Sequence, residues 1–385
     1  MKILDLVDTS RAGTAHMRDV GELLVQPMAG VIPMMRATQY ENRVNAANAP
    51  FNYVSYPESG GIKMRRNTWC RNSVSVEQGW TYLLDTLDPG LSDRLTQLNL
   101  SFTHTYLTLP TNWIFNMADL GMILQGDEGT YTILKLGGSM SSVLTIVEGM
   151  RVRREVVVDR KRRTVTWFAK HPITGQAAKV VTSYSGYPTL KFVGLMVGMV
   201  ANQNAPANSS LPYQYVYENL YEDILFTEND LPTDPPRHGN FSLATLSDVV
   251  NSSHPNATVL NAPRQLTKVV TDRYTASTPV PITAGSPVAF ALRNTLLNDA
   301  AAQGKGKCIA VMVTADLKNV SGKQTCKGAL QDGRSAVFRT PRTHPFQQSQ
   351  GMPGIGATVA QIDVRLPNGD IDASSLTKTI TLSVN

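Results

Sequence analysis

Residues 150–170 read MRVRREVVVDRKRRTVTWFAK, and the fold of the chain is read outward from them. Two runs rich in β-branched and aromatic residues flank Asp159-Arg160-Lys161-Arg162, a charged tip that starts on a turn-compatible Asp. The pattern predicts an antiparallel hairpin. With a two-residue period, Arg151, Arg153 and Glu155 share one face of its first strand, and Arg154, Val156 and Val158 share the other.

Alternation of the same kind recurs on both sides, at Leu100–Leu109, Thr130–Leu136, Val143–Val147, Ala178–Tyr184 and Leu190–Val200, with Gly, Pro, Asn or Asp between the runs. Short strands at this spacing predict an antiparallel sandwich or barrel, not βαβ units. Further upstream, Phe51–Tyr56 and Gly61–Asn67 read as strand, turn, strand. Ser75 and Gln78 form a capping-box pair ahead of Trp80, Leu83, Leu84 and Leu87, which predicts a helix ending at Asp88-Pro89-Gly90. A second short helix is expected at Ser92–Leu98, and a strand in the Tyr-rich run YQYVYENLY.

A chain of 385 residues is comfortable as two domains, since single cores stop growing near roughly 250–300 residues. The stretch TENDLPTDPPRHGN, Thr227–Asn240, is the natural linker. The layout is then an extended N-terminal arm (1–49), a β-sandwich domain (50–226), the Pro-rich linker (227–240) and a second, smaller β-rich domain (241–385). Strands are expected in that last domain at Thr258–Leu260, Leu266–Asp272, Pro287–Arg293, Lys307–Thr314, Ala336–Arg339, Thr358–Leu366 and Thr377–Val384, with a helix at Thr295–Gln303.

Only 17% of the residues are charged, below the roughly 25% of an ordinary soluble protein, which suits surfaces that meet other protein. The net charge is +6 and the hairpin carries all of it: Arg151, Arg153, Arg154, Arg160, Lys161, Arg162, Arg163 and Lys170 against Glu155 and Asp159. Four adjacent cations at the tip repel unless an anion neutralises them, and nucleic-acid phosphates do so without base recognition. Trp167 and Phe168 are candidates for base stacking. Lys63, Arg65, Arg66 and Arg71, interleaved with Trp69, form a second basic stretch. The alternative is a solvated hairpin whose cations pair with carboxylates of a neighbouring strand or subunit.

Catalytic and metal signatures are missing. The six histidines are far apart, and those before Pro172, Pro255 and Pro345 read as turns. Gly304-Lys305-Gly306-Lys307 precedes an apolar run instead of opening a helix, so it is not a phosphate loop. Asn368-Gly369 suits a hairpin turn at least as well as Asp363, Asp370 and Asp372 suit calcium. The carboxylates Glu222 with Asp223 and Glu228 with Asp230 read as polar edges. Cys70, Cys308 and Cys326 are too few for a disulfide framework, with reduced thiols favoured over a Cys308–Cys326 bridge. No catalytic residue, metal or cofactor is expected. No apolar run reaches membrane-spanning length, and Asp5 and Asp8 interrupt the place of a signal-peptide core.

The layout of arm, short strands, Pro-rich hinge and second β-domain resembles the jelly-roll capsid proteins of small icosahedral viruses. The resemblance implies a non-enzymatic virion subunit that assembles with copies of itself into a shell inside the host cell. Residues 1–30 depart from the Arg-rich arm of many such coats, carrying Lys2, Arg11 and Arg18 against Asp5, Asp8, Asp19 and Glu22. Residues 63–71 and 151–170 must then do more of the genome binding. Two other classes fit the sequence: a phage tail, baseplate, fibre or adhesin component, and a carbohydrate-binding or carbohydrate-active β-sandwich using Tyr213, Tyr215, Tyr217 and Tyr221.

Overall fold

A computed structural model describes residues 2–7, 15–17, 31–37, 52–55, 62–70, 74–86, 88–108, 115–127, 129–136, 147–203, 213–228, 249–252, 287–292, 310–315, 326–330, 333–338, 344–349, 358–363 and 379–384. Four strands come from the N-terminal residues: β1 (Lys2–Val7), β2 (Ala15–Met17), β3 (Val31–Ala37) and β4 (Asn52–Ser55). Ten more reach residue 228: β5 (Ile62–Cys70), β6 (Val74–Leu83), β7 (Gln97–Thr108), β8 (Phe115–Gln125), β9 (Tyr131–Lys135), β10 (Arg151–Asp159), β11 (Thr164–Lys170), β12 (Ala177–Ser183), β13 (Lys191–Gln203) and β14 (Tyr213–Glu228).

Eight of these form a long antiparallel hairpin wound on itself. β5 pairs with β14, β6 with β13, β7 with β10 and β8 with β9, so first meets last and each later strand meets its counterpart. Winding adds β14 to β7 and β13 to β8. Numbered one to eight along the chain, one sheet runs 1-8-3-6 and the other 2-7-4-5, which is the jelly roll. The β-sandwich reading is therefore correct. β11 and β12 extend the first sheet beyond β10, β4 and β2 extend it beyond β5, and β3 extends the second beyond β6. β1 lies along β14 at Ile224–Glu228, continuing the edge that β5 leaves at Tyr221. The stretch read as an arm thus contributes margin strands to both sheets, with Pro33 on an edge strand, where its missing N–H is tolerated.

Aromatic rings join the sheets. Trp80 of β6 meets Phe102, Tyr221 and Phe226 edge-on at 6.3, 6.0 and 6.3 Å, and Tyr82 stacks on Phe226 at 3.7 Å. Such pairs add about 0.5–1.5 kcal/mol each beyond the area they bury. One glycine is required by close approach: a Cβ on Gly194 would lie 2.4 Å from the Tyr82 carbonyl oxygen, at a register shift of β13 on β8.

The expected helix at 75–87 is instead β6, a correction with a clear cause. Trp80, Tyr82 and Leu84 face the sandwich core, while Leu83 on the other face is covered as well. A strand buried on both sides has no alternation to betray it, and its apolar residues fall at spacings that also fit a helix. β8, FNMADLGMILQ, is buried from Leu120 to Leu124 and lacks a clear alternation in sequence for the same reason. The second helix is the single turn α1 (Leu91–Arg94), and β7 begins at Gln97 inside its expected span. Val147 is exposed next to a turn, and residues 137–146 lie outside the described residues.

Beyond the linker, of which 229–240 lie outside the described residues, β15 (Val249–Ser252), β16 (Val288–Leu292), β21 (Thr379–Val384), β18 (Cys326–Leu330) and β19 (Ser335–Val337) form one sheet in that order. β17 (Ala310–Ala315) pairs with β20 (Thr358–Asp363). The C-terminal run is a paired strand, as its alternation predicts, held between β16 and β18. Cys326 is a buried free thiol. The expected strands at 258–260 and 266–272, the helix at 295–303, Cys308 and the turn at 368–369 lie outside the described residues.

The helix α2 (Pro345–Ser349) ties this half to the sandwich. Its Phe346 is fully buried with Leu83, Ile123, Val193 and Met196 on the outer face of the second sheet, and Tyr131 meets its ring at 5.2 Å. His344 starts the helix: Nδ1 accepts the Phe346 N–H at 3.1 Å, and the ring lies 6.1 Å from Tyr131. Burial holds His344 below its ordinary pKa, with Asp85 opposing and Lys191 adding to the shift. Docked α2 therefore binds fewer protons than free α2, so docking is complete above about pH 6.5 and weakens as pH falls through the depressed value. Hydrogen exchange at pH 7.5 and pH 5 should show α2 amides deprotected in acid. His344→Asn, which keeps an acceptor without titrating, should abolish that difference.

Candidate nucleic-acid interface

The hairpin is present as read, with β10 paired to β11 from Arg153 opposite Lys170 to Asp159 opposite Thr164. Asp159 shapes the turn by accepting the Arg162 backbone N–H at 2.8 Å, and Arg163 takes a left-handed conformation (φ 52°) where the chain re-enters β11. The two faces of β10 sort as alternation predicts. Both are covered from Arg154 to Val158, and only Arg151 at the strand's start is exposed.

Arg154 points into the sandwich core and is 2% exposed. It donates to the Tyr106 hydroxyl, with its guanidinium carbon 5.4 Å from that ring's centre. Nearby, His104 is bonded to Asn219 at 2.7 Å and stacked on Tyr221 at 4.6 Å. Burial, and then the Arg154 charge, hold its pKa well below the usual value. Tyr221, a candidate sugar platform from sequence, is therefore part of the core.

On the opposite face Arg153 donates to Thr103 Oγ1 at 3.2 Å, to the Asp223 carbonyl at 3.3 Å and to Ser101 Oγ. Burial brings its pKa down to about 10 against the pull of Asp223 and Glu155, leaving it charged at neutral pH. Arg151 is the most exposed member of this strand and reaches Glu222 at 3.4 Å and Asp223 at 3.5 Å. Asp223 has a left-handed backbone (φ 53°) at the register shift of β14 on β7. Glu222 and Asp223, read as a polar edge, are thus partners of the basic strand, whereas Asp230 lies outside the described residues.

At the tip, Arg160 donates to the carbonyls of Asp93 at 3.2 Å and Leu95 at 2.8 Å, stitching the hairpin to α1. Arg163 donates to the carbonyls of Tyr187 and Leu190, the latter at 3.1 Å, and lies over the Tyr184 ring at 4.9 Å. Arg162 is 73% exposed with Asp159 at 3.9 Å. Lys161 is exposed and, among the described residues, unpaired.

Lys63 pairs with Glu218 of β14. Arg65 and Arg66 sit opposite Glu218 and Tyr217 in the backbone register, and Arg71 lies outside the described residues. The two basic stretches belong to one sheet, but β14 and β7 run between them, and β14 carries Glu218, Glu222 and Asp223. Trp167 and Phe168, candidates for base stacking, are 4% and 2% exposed, and Lys179 Nζ lies 5.4 Å from the Phe168 ring centre. They are structural, because both faces of β11 are covered. Among the described residues no cluster of His, Cys, Asp and Glu has metal-binding geometry.

No protein-family model matches the chain, and no curated protein matches it. Solved structures with some likeness include arcelin-5, a lectin-like defence protein from Phaseolus vulgaris, at 6% identity and TM-score 0.27, covering 52% of this chain and 93% of that one. A Lotus tetragonolobus seed lectin, at 8% identity and TM-score 0.27, covers 57% and 100%. Lectin I from Ulex europaeus, in complex with a methyl glycoside of fucose, is 10% identical with TM-score 0.26 and covers 52% and 99%. Scores this low carry no argument about what this chain binds.

Replacing Lys161 and Arg162 with Gln should lower the salt dependence of single-strand binding by a log–log slope of about 1.4, with thermal stability kept. Replacing Arg160 and Arg163 should chiefly lower the melting temperature, since carbonyls in two loops lose their donors. Polyanion-column retention alongside thermal denaturation separates the pairs.

Proposed function

We propose that this chain is a structural subunit of a virus coat, not an enzyme, and that it assembles with copies of itself inside the host cell into an icosahedral shell around the genome. The observation that carries this reading is the jelly-roll winding, 1-8-3-6 against 2-7-4-5. Jelly rolls serve in viral coats, lectins and cupins, so the winding narrows the class and the rest of the chain must choose within it.

Two features favour the coat. Strands from the first 55 residues extend the margins of both sheets, which gives the subunit broad flanks for neighbours. A second β-rich unit is anchored through Phe346 on the outer face of one sheet, as suits a domain carried on a shell. The sugar-binding alternative loses an anchor, because Tyr221 is in the core against Trp80 and His104. Genome contact on this reading falls to Lys161 and Arg162, since the other described cations of the hairpin strands are held by protein groups or stand apart from the tip.

Negative-stain microscopy of the purified protein should reveal closed shells of uniform diameter. Tubes or rings would favour a tail or fibre component, and a monodisperse monomer at high concentration would overturn assembly altogether.

A further inference from the structure

The free margin of the nine-stranded sheet has the properties of a self-complementary edge. β12 pairs with β11 on one side, and among the described residues no strand lies on its other. The phase of that ladder is set at both ends, where the Tyr184 N–H donates to the Arg163 carbonyl at 2.9 Å and the His171 N–H to the Gln176 carbonyl at 2.8 Å. Even-numbered residues of β12 therefore bond to β11, and the N–H and C=O groups of Ala177, Lys179, Val181 and Ser183 point away from the sheet.

Sheet edges are ordinarily blunted by proline, a bulge, an inward charge or extreme shortness. β12 is seven residues long with no proline and no register shift, and its one cation, Lys179, lies over Phe168 of its own sheet. Apolar side chains stand exposed along it instead: Val181 at 57%, Ile173 at 85% in the turn before it and Tyr187 at 39% in the turn after it. Ile173 and Tyr187 are equally distant from Val180 along the chain. Val180 itself packs against the sandwich core, as does Ala178.

We propose that β12 is an interface between two copies of this chain, pairing antiparallel with itself about a two-fold axis at Val180. The proposal rests on the assembly reading above and names the surface it uses. In this register Ala177 faces the partner's Ser183 and Lys179 faces the partner's Val181, so all four outward residues find hydrogen-bonding mates. The turn bearing Ile173 comes beside the turn bearing the partner's Tyr187. An axis at Lys179 would set two cations directly opposite one another, which is unfavourable. Such a contact is isologous and closes at two copies, joining the two sheets and their cores into one.

Two variants test it in the full-length protein. At the axis Val180 meets its own copy as a non-hydrogen-bonded pair, with Cα atoms about 4.5 Å apart, within reach of a disulfide. Val180→Cys should give a covalent dimer on mild oxidation, whereas Val147→Cys, exposed but away from this edge, should not. Val181→Lys, which leaves the β11 ladder intact, should weaken self-association about tenfold in sedimentation with unchanged circular dichroism. Shells that form normally with Val181→Lys and with Val180→Cys uncrosslinked would overturn the edge while leaving the coat reading standing. A wild-type monomer at high concentration would overturn both. Should Val181→Lys fail to fold, the crosslink alone decides.

Discussion

The insertion of β14 between β5 and β7 is the contact on which the rest of the sandwich depends. It joins the last of the eight wound strands to the first and third across more than a hundred residues, so the β12–β7 and β5–β2 parts of the first sheet become one only when that loop closes. Its inner residues Tyr221 and Phe226 then meet Trp80 and Tyr82, which places the second sheet on the first. Closure of this kind is entropically expensive and slow, and it is repaid only when the aromatic core is complete.

The basic strand is part of that closure. β14 changes partners along one edge, from β5 to β1, and its register on β7 shifts at Asp223. A left-handed aspartate is strained unless its surroundings hold it. Here its carbonyl accepts from Arg153 and its carboxylate from Thr103 and Arg151. Arginine suits the task because its planar fork serves several acceptors at once and stays charged when buried. A cluster that looks in sequence like a surface for polyanions is thus largely a brace between strands, with Lys161 and Arg162 at the tip and Arg151 and Lys170 at the strand ends left facing solvent.

Much of the fold was legible. Residues 150–170 announced a hairpin, and the faces of β10 followed from alternation alone. β12 is legible because inward Ala178 and Val180 alternate with outward Lys179 and Ser183. The misread segments, β6 and β8, are covered on both sides, with Leu83 and Ile123 beneath Phe346; β13 is covered in the same way, and its longer Gly-bounded apolar run still marks it as a strand. The turn at His171 was also legible: its Nδ1 accepts the N–H groups of Ile173 and Thr174, a local arrangement that needs no distant partner.

The candidate site was legible only in part. Sequence by itself determined which residues are cationic, that they alternate along a strand, and that the chain is antiparallel β, because those properties depend on side-chain chemistry and a two-residue period. Tertiary structure alone decided what each cation does. Arg154 and Trp167 face a second sheet that local sequence does not mention, and Glu218, Glu222 and Asp223 arrive beside Lys63 and Arg151 only through the return of β14. Charge is written in the chain, but its neutralisation depends on distance, and distance is set by which strands pair.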